Sequence, residues 1–374
     1  MVIRPCKIKS SMNDQAVIVT QQPNWRRLIR VEAFGIRTAA AAVLPLFVGQ
    51  FLGYPLIGLT VGLGGLYLSI TDKEGSTATA LLVATVCNAI AALAGNWVGH
   101  GTWLSIISMF VVAFLGGMAS AYGEVASQIG FIMALVFAVS VGMSAGFKMG
   151  VENLLEFVIG GLWGMALTLL LWRFVQQTGE QTDTGNPEPH PPLKHATWGK
   201  LIEWFSSNLT FQSIIFRHAM RIAIASTIAV ALFKILHIER GYWLIITVLV
   251  IVKPVFVDTR KRAMERVIGS VIGGAIAAVI AATIHNVLIL DLLLVVFSVI
   301  AYSHINENYL LFTLFLTPFI VLMIDVVQPS SSWHLASERI VNTLIGAAVA
   351  LIVTFLLRPK SSFRRQRAAR STRL

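Results

Sequence analysis

In an otherwise aliphatic stretch, GYWLIITVLVIVKPVFVDTRKRAMERVIGS at residues 241–270, Lys253-Pro254 interrupts the run and a basic block with Arg260, Arg262 and Arg266 ends it. Cations of this kind can hold a carboxylate or another organic anion. Asp258 or Thr259 could cap the start of the following helix, since either oxygen accepts from a free first-turn amide. From there Arg262, Arg266, Gly269 or Ser270, and Gly273 recur every three or four residues and share one helical face. The small residues would let a second helix approach closely, while Lys261 and Glu265, four apart on a neighbouring face, can neutralise each other. Lys253 has two readings. Its stem could carry the ammonium to the inner headgroups, or the ammonium could stand beside a water-filled path, where a charge at depth costs at least about 2.5–3.5 kcal/mol on insertion scales. The arginines likewise read either as a solvated inner rim or as part of that path.

The elements that must position these residues are membrane helices. The chain is 56% hydrophobic and only 13% charged, with a mean hydropathy of +0.75, against roughly 25% charged residues in a soluble domain. Runs long enough to cross a hydrocarbon core fall near 34–53, 55–70, 76–95, 102–122, 128–147 and 152–174, then 219–237, 242–257, 265–284, 287–303, 308–325 and 338–357. The fold class expected is an all-α integral membrane protein of about twelve crossings. The polar first 33 residues lack the short apolar core and cleavage pattern of a secretory signal, so the first crossing is expected to remain as an anchor.

An even number of crossings puts both tails and the connector on one side. That side collects most of the Lys and Arg, whereas Lys148, Lys234, Arg240 and Arg339 fall on the opposite one. The positive-inside bias then makes the tails and connector cytoplasmic. The basic tail RPKSSFRRQRAARSTRL is read as a juxtamembrane cluster facing anionic lipid, not as a nucleic-acid site. Cys6 and Cys87 are too few and too scattered for a disulfide framework or a thiolate metal site. Neither a metal nor a cofactor is expected, and the partners are the lipid bilayer and a small organic anion, with homo-oligomerisation left open.

The two halves repeat each other. FGIRTAAAAVLPLFVGQFLGYP aligns with HAMRIAIASTIAVALFKILHIERGYW, and ENLLEFVIGGLWGMALTLLLWR with ERIVNTLIGAAVALIVTFLLR; Glu152, Gly160 and Thr168 pair with Glu338, Gly346 and Thr354 at a constant offset of 186. Six crossings return the chain to its starting side, so the repeats are expected to be parallel, with a solute path at their interface. The expected organisation is an N-terminal tail (1–33), a first six-helix unit (34–174), a cytoplasmic connector with an amphipathic lead-in (175–216), a second six-helix unit (217–358) and a basic tail (359–374). In each unit the second crossing reads as short and disturbed: PLIGLTVGLGGLYLSI by four glycines, YWLIITVLVIVKPVFV by Lys253-Pro254. Irregular backbone cannot face lipid, so these two segments are expected to meet near the axis between the units.

The stretch from Gly241 to Gly274 resembles the signature of the fusaric acid resistance and aromatic acid exporter family: Tyr242 and Trp243, an aliphatic run, Pro254, Thr259, Arg260, Arg262, Arg266, Gly269 and Gly273. His218 and Arg221 in HAMRIAIA, and Asn308, Tyr309, Thr317 and Pro318 in NYLLFTLFLTPFIVLMID, extend it. A more distant likeness is to aluminium-activated malate channels. The resemblance covers 218–358 well and the first unit loosely, where TDKEGSTATA replaces VDTRKRAMER. It implies a multi-pass cytoplasmic-membrane exporter of organic, often aromatic, carboxylates; an organic-anion channel and a non-transporting envelope or assembly protein stand as the alternatives. The substrate path is expected to involve Lys253, Pro254, Arg260, Arg262, Arg266, Arg221, Tyr242, Trp243 and Thr317, and with acids and histidines scattered singly through the crossings no enzyme is expected. No GxxxxGK[ST] phosphate loop is present. Proton coupling would need an acid at depth, for which Asp291 and Asp325 are the candidates, although both also read as exposed acids at helix ends.

Overall fold

A computed structural model describes residues 24–71, 77–144, 146–177, 203, 205–284, 286–327 and 332–357. The tails before residue 24 and after residue 357, and most of the connector, lie outside the described residues, together with what was expected of them. Among the described residues the chain is all-helical. The helices of ten or more residues are α1 (Asn24–Phe51), α2 (Pro55–Thr71), α3 (Ala78–Val98), α4 (Thr102–Met118), α5 (Glu124–Gly142), α6 (Phe147–Gln177), α7 (Ile214–Ile235), α8 (Tyr242–Ile251), α9 (Phe256–Thr283), α10 (Val287–His304), α11 (Tyr309–Val327) and α12 (Ser332–Leu356). Ten are long and apolar enough to cross a membrane, and the two shorter apolar ones are α2 and α8. This is a multi-pass membrane protein.

Local sequence sets the helix ends. Gly53, at φ +81°, makes the α1–α2 turn, a backbone region that glycine enters without a Cβ penalty, and Pro55 opens α2, where its missing N–H costs nothing. Thr77, Ser213 and Asn286 cap α3, α7 and α10 through their side-chain oxygens. Several helices start earlier than hydropathy alone suggests: α9 begins at Phe256 and α12 at Ser332. Their first two turns mix apolar residues with charged and polar ones, so a search for continuous apolar runs passes over them.

The helices alternate in direction. The face where α1 starts is called proximal here, and the face of the α1–α2 turn distal. α1 packs on α2, α2 on α6, α3 on α5 and α6, and α4 on α5; in the second half α7 packs on α8, α8 on α12, α9 on α11 and α12, and α10 on α11. Across the halves, α4 meets α7 and α1 meets α10.

The glycines of α2 play a different part from the one expected. α2 is continuous, and a Cβ on Gly62 would stand 2.3 Å from the Ala42 carbonyl oxygen, while one on Gly64 would stand 3.2 Å from the Cα of Gly160. They do not break the helix; they let α1 and α6 reach its backbone. The interruption at Val252–Val255, between α8 and α9, has no counterpart within α2. α2 and α8 share the lining of one space, with Leu63 and Val250 packed in the same apolar clusters. They face each other across a cavity.

Candidate functional site

Between the two sets of helices lies an elongated cavity of about 1130 Å³. One wall is Leu56, Thr60, Leu63 and Tyr67 of α2, Phe131 and Leu135 of α5, and Glu152, Glu156 and Phe157 of α6. The other is Tyr242, Trp243, Ile246 and Val250 of α8, Arg262 and Arg266 of α9, Tyr309, Phe312 and Phe319 of α11, and Arg339 of α12. The lining reaches Arg240 at the distal end and Ser120, Gln128 and Asn306 at the proximal end. Most of the wall is apolar or aromatic, as in small-molecule sites generally, with few polar groups to orient a ligand.

Two of those groups are unusual. Arg266 and Arg339 are each 1% exposed, and Arg266 Nε and Arg339 Nε and Nη2 have no hydrogen-bond partner. Neither residue has an ion pair among the described residues. Arg339 lies with its guanidinium carbon 5.1 Å from the Trp243 ring centroid and within electrostatic reach of Arg266 and of Tyr67, Tyr242 and Tyr309. Cation–π contact recovers part of what burial of a cation costs. It does not replace a counter-ion, and an uncompensated buried charge costs several kcal/mol. Nearer the proximal end, Arg262 stacks over Tyr309 at 3.8 Å from the ring centroid, and half-buried Lys253 lines the cavity beside His218. The inner wall therefore presents Lys253, Arg262, Arg266 and Arg339 to whatever enters.

The break in α8 places Lys253. Val252 is extended at ψ 118°, and Pro254 cannot donate to continue the helix. Thr259 closes the loop: its Oγ1 accepts from the Lys253 N–H at 3.0 Å and lies 3.3 Å from the Lys253 carbonyl oxygen. Neither Asp258 nor Thr259 is the cap residue of α9. Val255 holds that position without a side-chain cap, because the helix starts one turn earlier and Thr259 is needed for the Lys253 peptide. Arg221 Nη1 donates to the Pro254 carbonyl oxygen at 2.8 Å.

At the distal mouth, the Arg240 guanidinium pairs with Glu338, and His334 Nδ1 lies 2.7 Å from the other Glu338 oxygen. Glu239, His334 and Glu338 could jointly approach a metal ion, but Arg240 already supplies the cation that Glu338 faces.

Residues 227–353 match the fusaric acid resistance protein-like family. The family segment includes the Lys253 break and all four inner-wall cations. The chain is also similar to the inner membrane protein YccS of Escherichia coli, 29% identical over 159 residues, covering 42% of this chain and 22% of that protein. An uncharacterized protein of Haemophilus influenzae is 30% identical over 154 residues, 41% of this chain and 21% of its own, and one of Synechocystis is 30% identical over 150 residues, 37% and 18%. The matched part of the chain thus spans about a fifth of these relatives' length. No solved structure matches it significantly.

Within the family segment, Lys253, Arg262, Arg266, Tyr242 and Trp243 come together on the cavity wall. The remaining residues read from the sequence lie elsewhere. Arg221 is buried behind the break, and Pro254 is exposed with its carbonyl on Arg221. Arg260 sits in an outer-surface groove with Phe256 and Phe355. Thr317 donates to the Thr313 carbonyl at 2.9 Å and packs against Gly273 at the α9–α11 contact. Asp291 accepts from Gln50 at 3.5 Å between α1 and α10, away from the cavity, and Asp325 is not part of the cavity wall. The acids that do line it are Glu152 and Glu156. Sequence reading passed over Arg339, which it placed among distal surface charges. His334, Glu338 and Asn342 at four-residue spacing mark a helix that starts before Arg339, and that signal would have moved it inside.

Proposed function

We propose that this chain is a membrane transporter that exports organic anions, aromatic carboxylates among them, through the cavity between two parallel six-helix units. The observation that carries this reading is the pair Arg266 and Arg339: buried, without ion-pair partners among the described residues, and lining a largely apolar cavity. Burying two cations without acids is unfavourable in a permanently empty site, whereas a passing anion would supply the missing charge. The half-buried rings of Tyr67 and Phe131 on the cavity wall offer contact area for a ring.

The packing pairs support the two-unit layout, since nearly every helix contact of the first six recurs six helices later. α2 and α8 then count as short crossings, giving twelve, and the lysine and arginine distribution puts both tails and the connector on the cytoplasmic side. The expected setting is the cytoplasmic membrane, and YccS is named an inner membrane protein. An organic-anion channel is the second reading, favoured by a cavity lining that includes both helix ends. Purified protein in proteoliposomes, tested with labelled aromatic and aliphatic carboxylates, decides between them. Uphill accumulation driven by an imposed proton gradient is expected of the transporter, purely downhill voltage-driven flux of the channel, and absence of flux for every anion would refute both.

A further inference from the structure

Resting on that reading, we infer that the cavity is built for an anion carrying two negative charges, because Arg266 and Arg339 are two separate unpaired cations on one wall. The residues come from different helices entering from opposite faces. Arg266 lies ten residues into α9 from the proximal side and Arg339 seven residues into α12 from the distal side, roughly 15 Å and 10 Å of helix at about 1.5 Å per residue. Each is 1% exposed, so neither guanidinium escapes to headgroups or bulk water.

A monoanion leaves one of them uncompensated. In the interior an unpaired charge is the costly state, and two like charges within reach of each other raise that cost further. A dianion neutralises both and removes their mutual repulsion as well. The donors left over suit such a ligand: Arg266 Nε, Arg339 Nε and Nη2, and the hydroxyl of Tyr309 are all buried without partners. Glu152 and Glu156 share the cavity, but neither forms an ion pair with these arginines, and both lie on the opposite wall in α6. The corresponding positions of the first unit carry no such cations. Asn153 aligns with Arg339 at the offset that pairs Glu152 with Glu338, so the charge pair is a property of the second unit alone.

The test compares two ligands with one ring: benzoate, with one carboxylate, and benzene-1,3-dicarboxylate, with two, at a pH where every carboxyl group is ionised. Binding to purified full-length protein is measured by calorimetry at low ionic strength, and flux in proteoliposomes. The dicarboxylate is expected to bind at least tenfold more tightly. Arg266→Gln and Arg339→Gln should each bring the two ligands to within about threefold of each other, mostly by weakening the dicarboxylate. Variants are checked for monodispersity in detergent, and Arg266→Lys and Arg339→Lys, which keep the charge, should retain the preference. Benzoate binding as tightly as the dicarboxylate in wild type overturns the dianion inference and leaves the transport reading intact. Binding and flux of neither ligand, nor of any carboxylate in the wider panel, would sink both.

Discussion

Arg221 and Pro254 are joined by a hydrogen bond of 2.8 Å from a buried guanidinium to the carbonyl oxygen at the break in α8. A similar bond occurs on α1: Arg37, which aligns with Arg221 in sequence, donates to the carbonyl oxygen of Ser69 at 3.0 Å near the proximal end of α2. A buried arginine thus donates to a carbonyl at the proximal end of α2 and to one at the break after α8. Charge-assisted hydrogen bonds of this kind contribute about 1.5–3 kcal/mol. Arg221→Gln should lower the thermal midpoint in detergent and reduce flux, and Arg221→Lys should recover part of both. An unchanged midpoint in the glutamine variant would show that the break does not depend on this bond.

Lys253 follows from the same geometry. At an effective dielectric near 20, two unit charges about 4 Å apart interact by roughly 4 kcal/mol, and desolvation leaves about 1–2 kcal/mol. Lys253→Met should therefore weaken carboxylate binding about tenfold, with Lys253→Arg in between because the charge stays while the geometry changes. If the methionine variant binds and transports like wild type, the lysine is an anchor reaching for the headgroups.

The distal ion pair predicts coupling. Glu338 is largely buried and Arg240 less so, so removing either partner alone exposes the other to a partly desolvated mouth. A double-mutant cycle of Arg240→Gln and Glu338→Gln should give a coupling of about 1 kcal/mol, reduced from the buried-pair range by solvent around Arg240. Additive effects on thermal stability would mean that the pair is too screened to matter.

Close backbone contact makes Gly160 sensitive. A Cβ there would stand 2.1 Å from the Val61 carbonyl oxygen, whereas a Cβ on Gly101 meets nothing closer than 3.4 Å. Overpacking of this kind typically costs about 1–3 kcal/mol. Gly160→Ala should lower the thermal midpoint by several degrees and Gly101→Ala should not; equal effects would contradict the α2–α6 contact.

The sequence made the lipid setting, the helical class and the cation-bearing face of α9 legible, because hydropathy and three-to-four-residue spacing survive without tertiary context. The α9 face packs on α11 through Gly269 and Gly273 as its small residues suggest, and Lys261 and Glu265 pair at 3.8 Å. What spacing cannot say is which side of a helix meets protein, lipid or a void. The glycines of α2 read equally well as a break or as a contact, and only the approach of α1 and α6 decides. Arg339 shows the same limit: seven residues into a helix whose first turns mix apolar residues with charged and polar ones, it reads as a surface charge until the helix start is fixed at Ser332. Asp291 and Asp325 stand out in the sequence as acids near helix ends, yet the acids that line the cavity are Glu152 and Glu156, which sit among apolar neighbours in α6.

If the buried guanidiniums of Arg266 and Arg339 form the anion site, neutralising Arg339 must impair transport. Initial rates of labelled carboxylate flux are measured in proteoliposomes at matched protein content for wild type, Arg339→Gln and Lys261→Gln, the last a surface cation paired with Glu265 outside the cavity. Arg339→Gln should lose at least tenfold in rate, with a rise in the concentration for half-maximal rate, and Lys261→Gln should change little. Flux in Arg339→Gln equal to wild type would contradict that placement of the anion site.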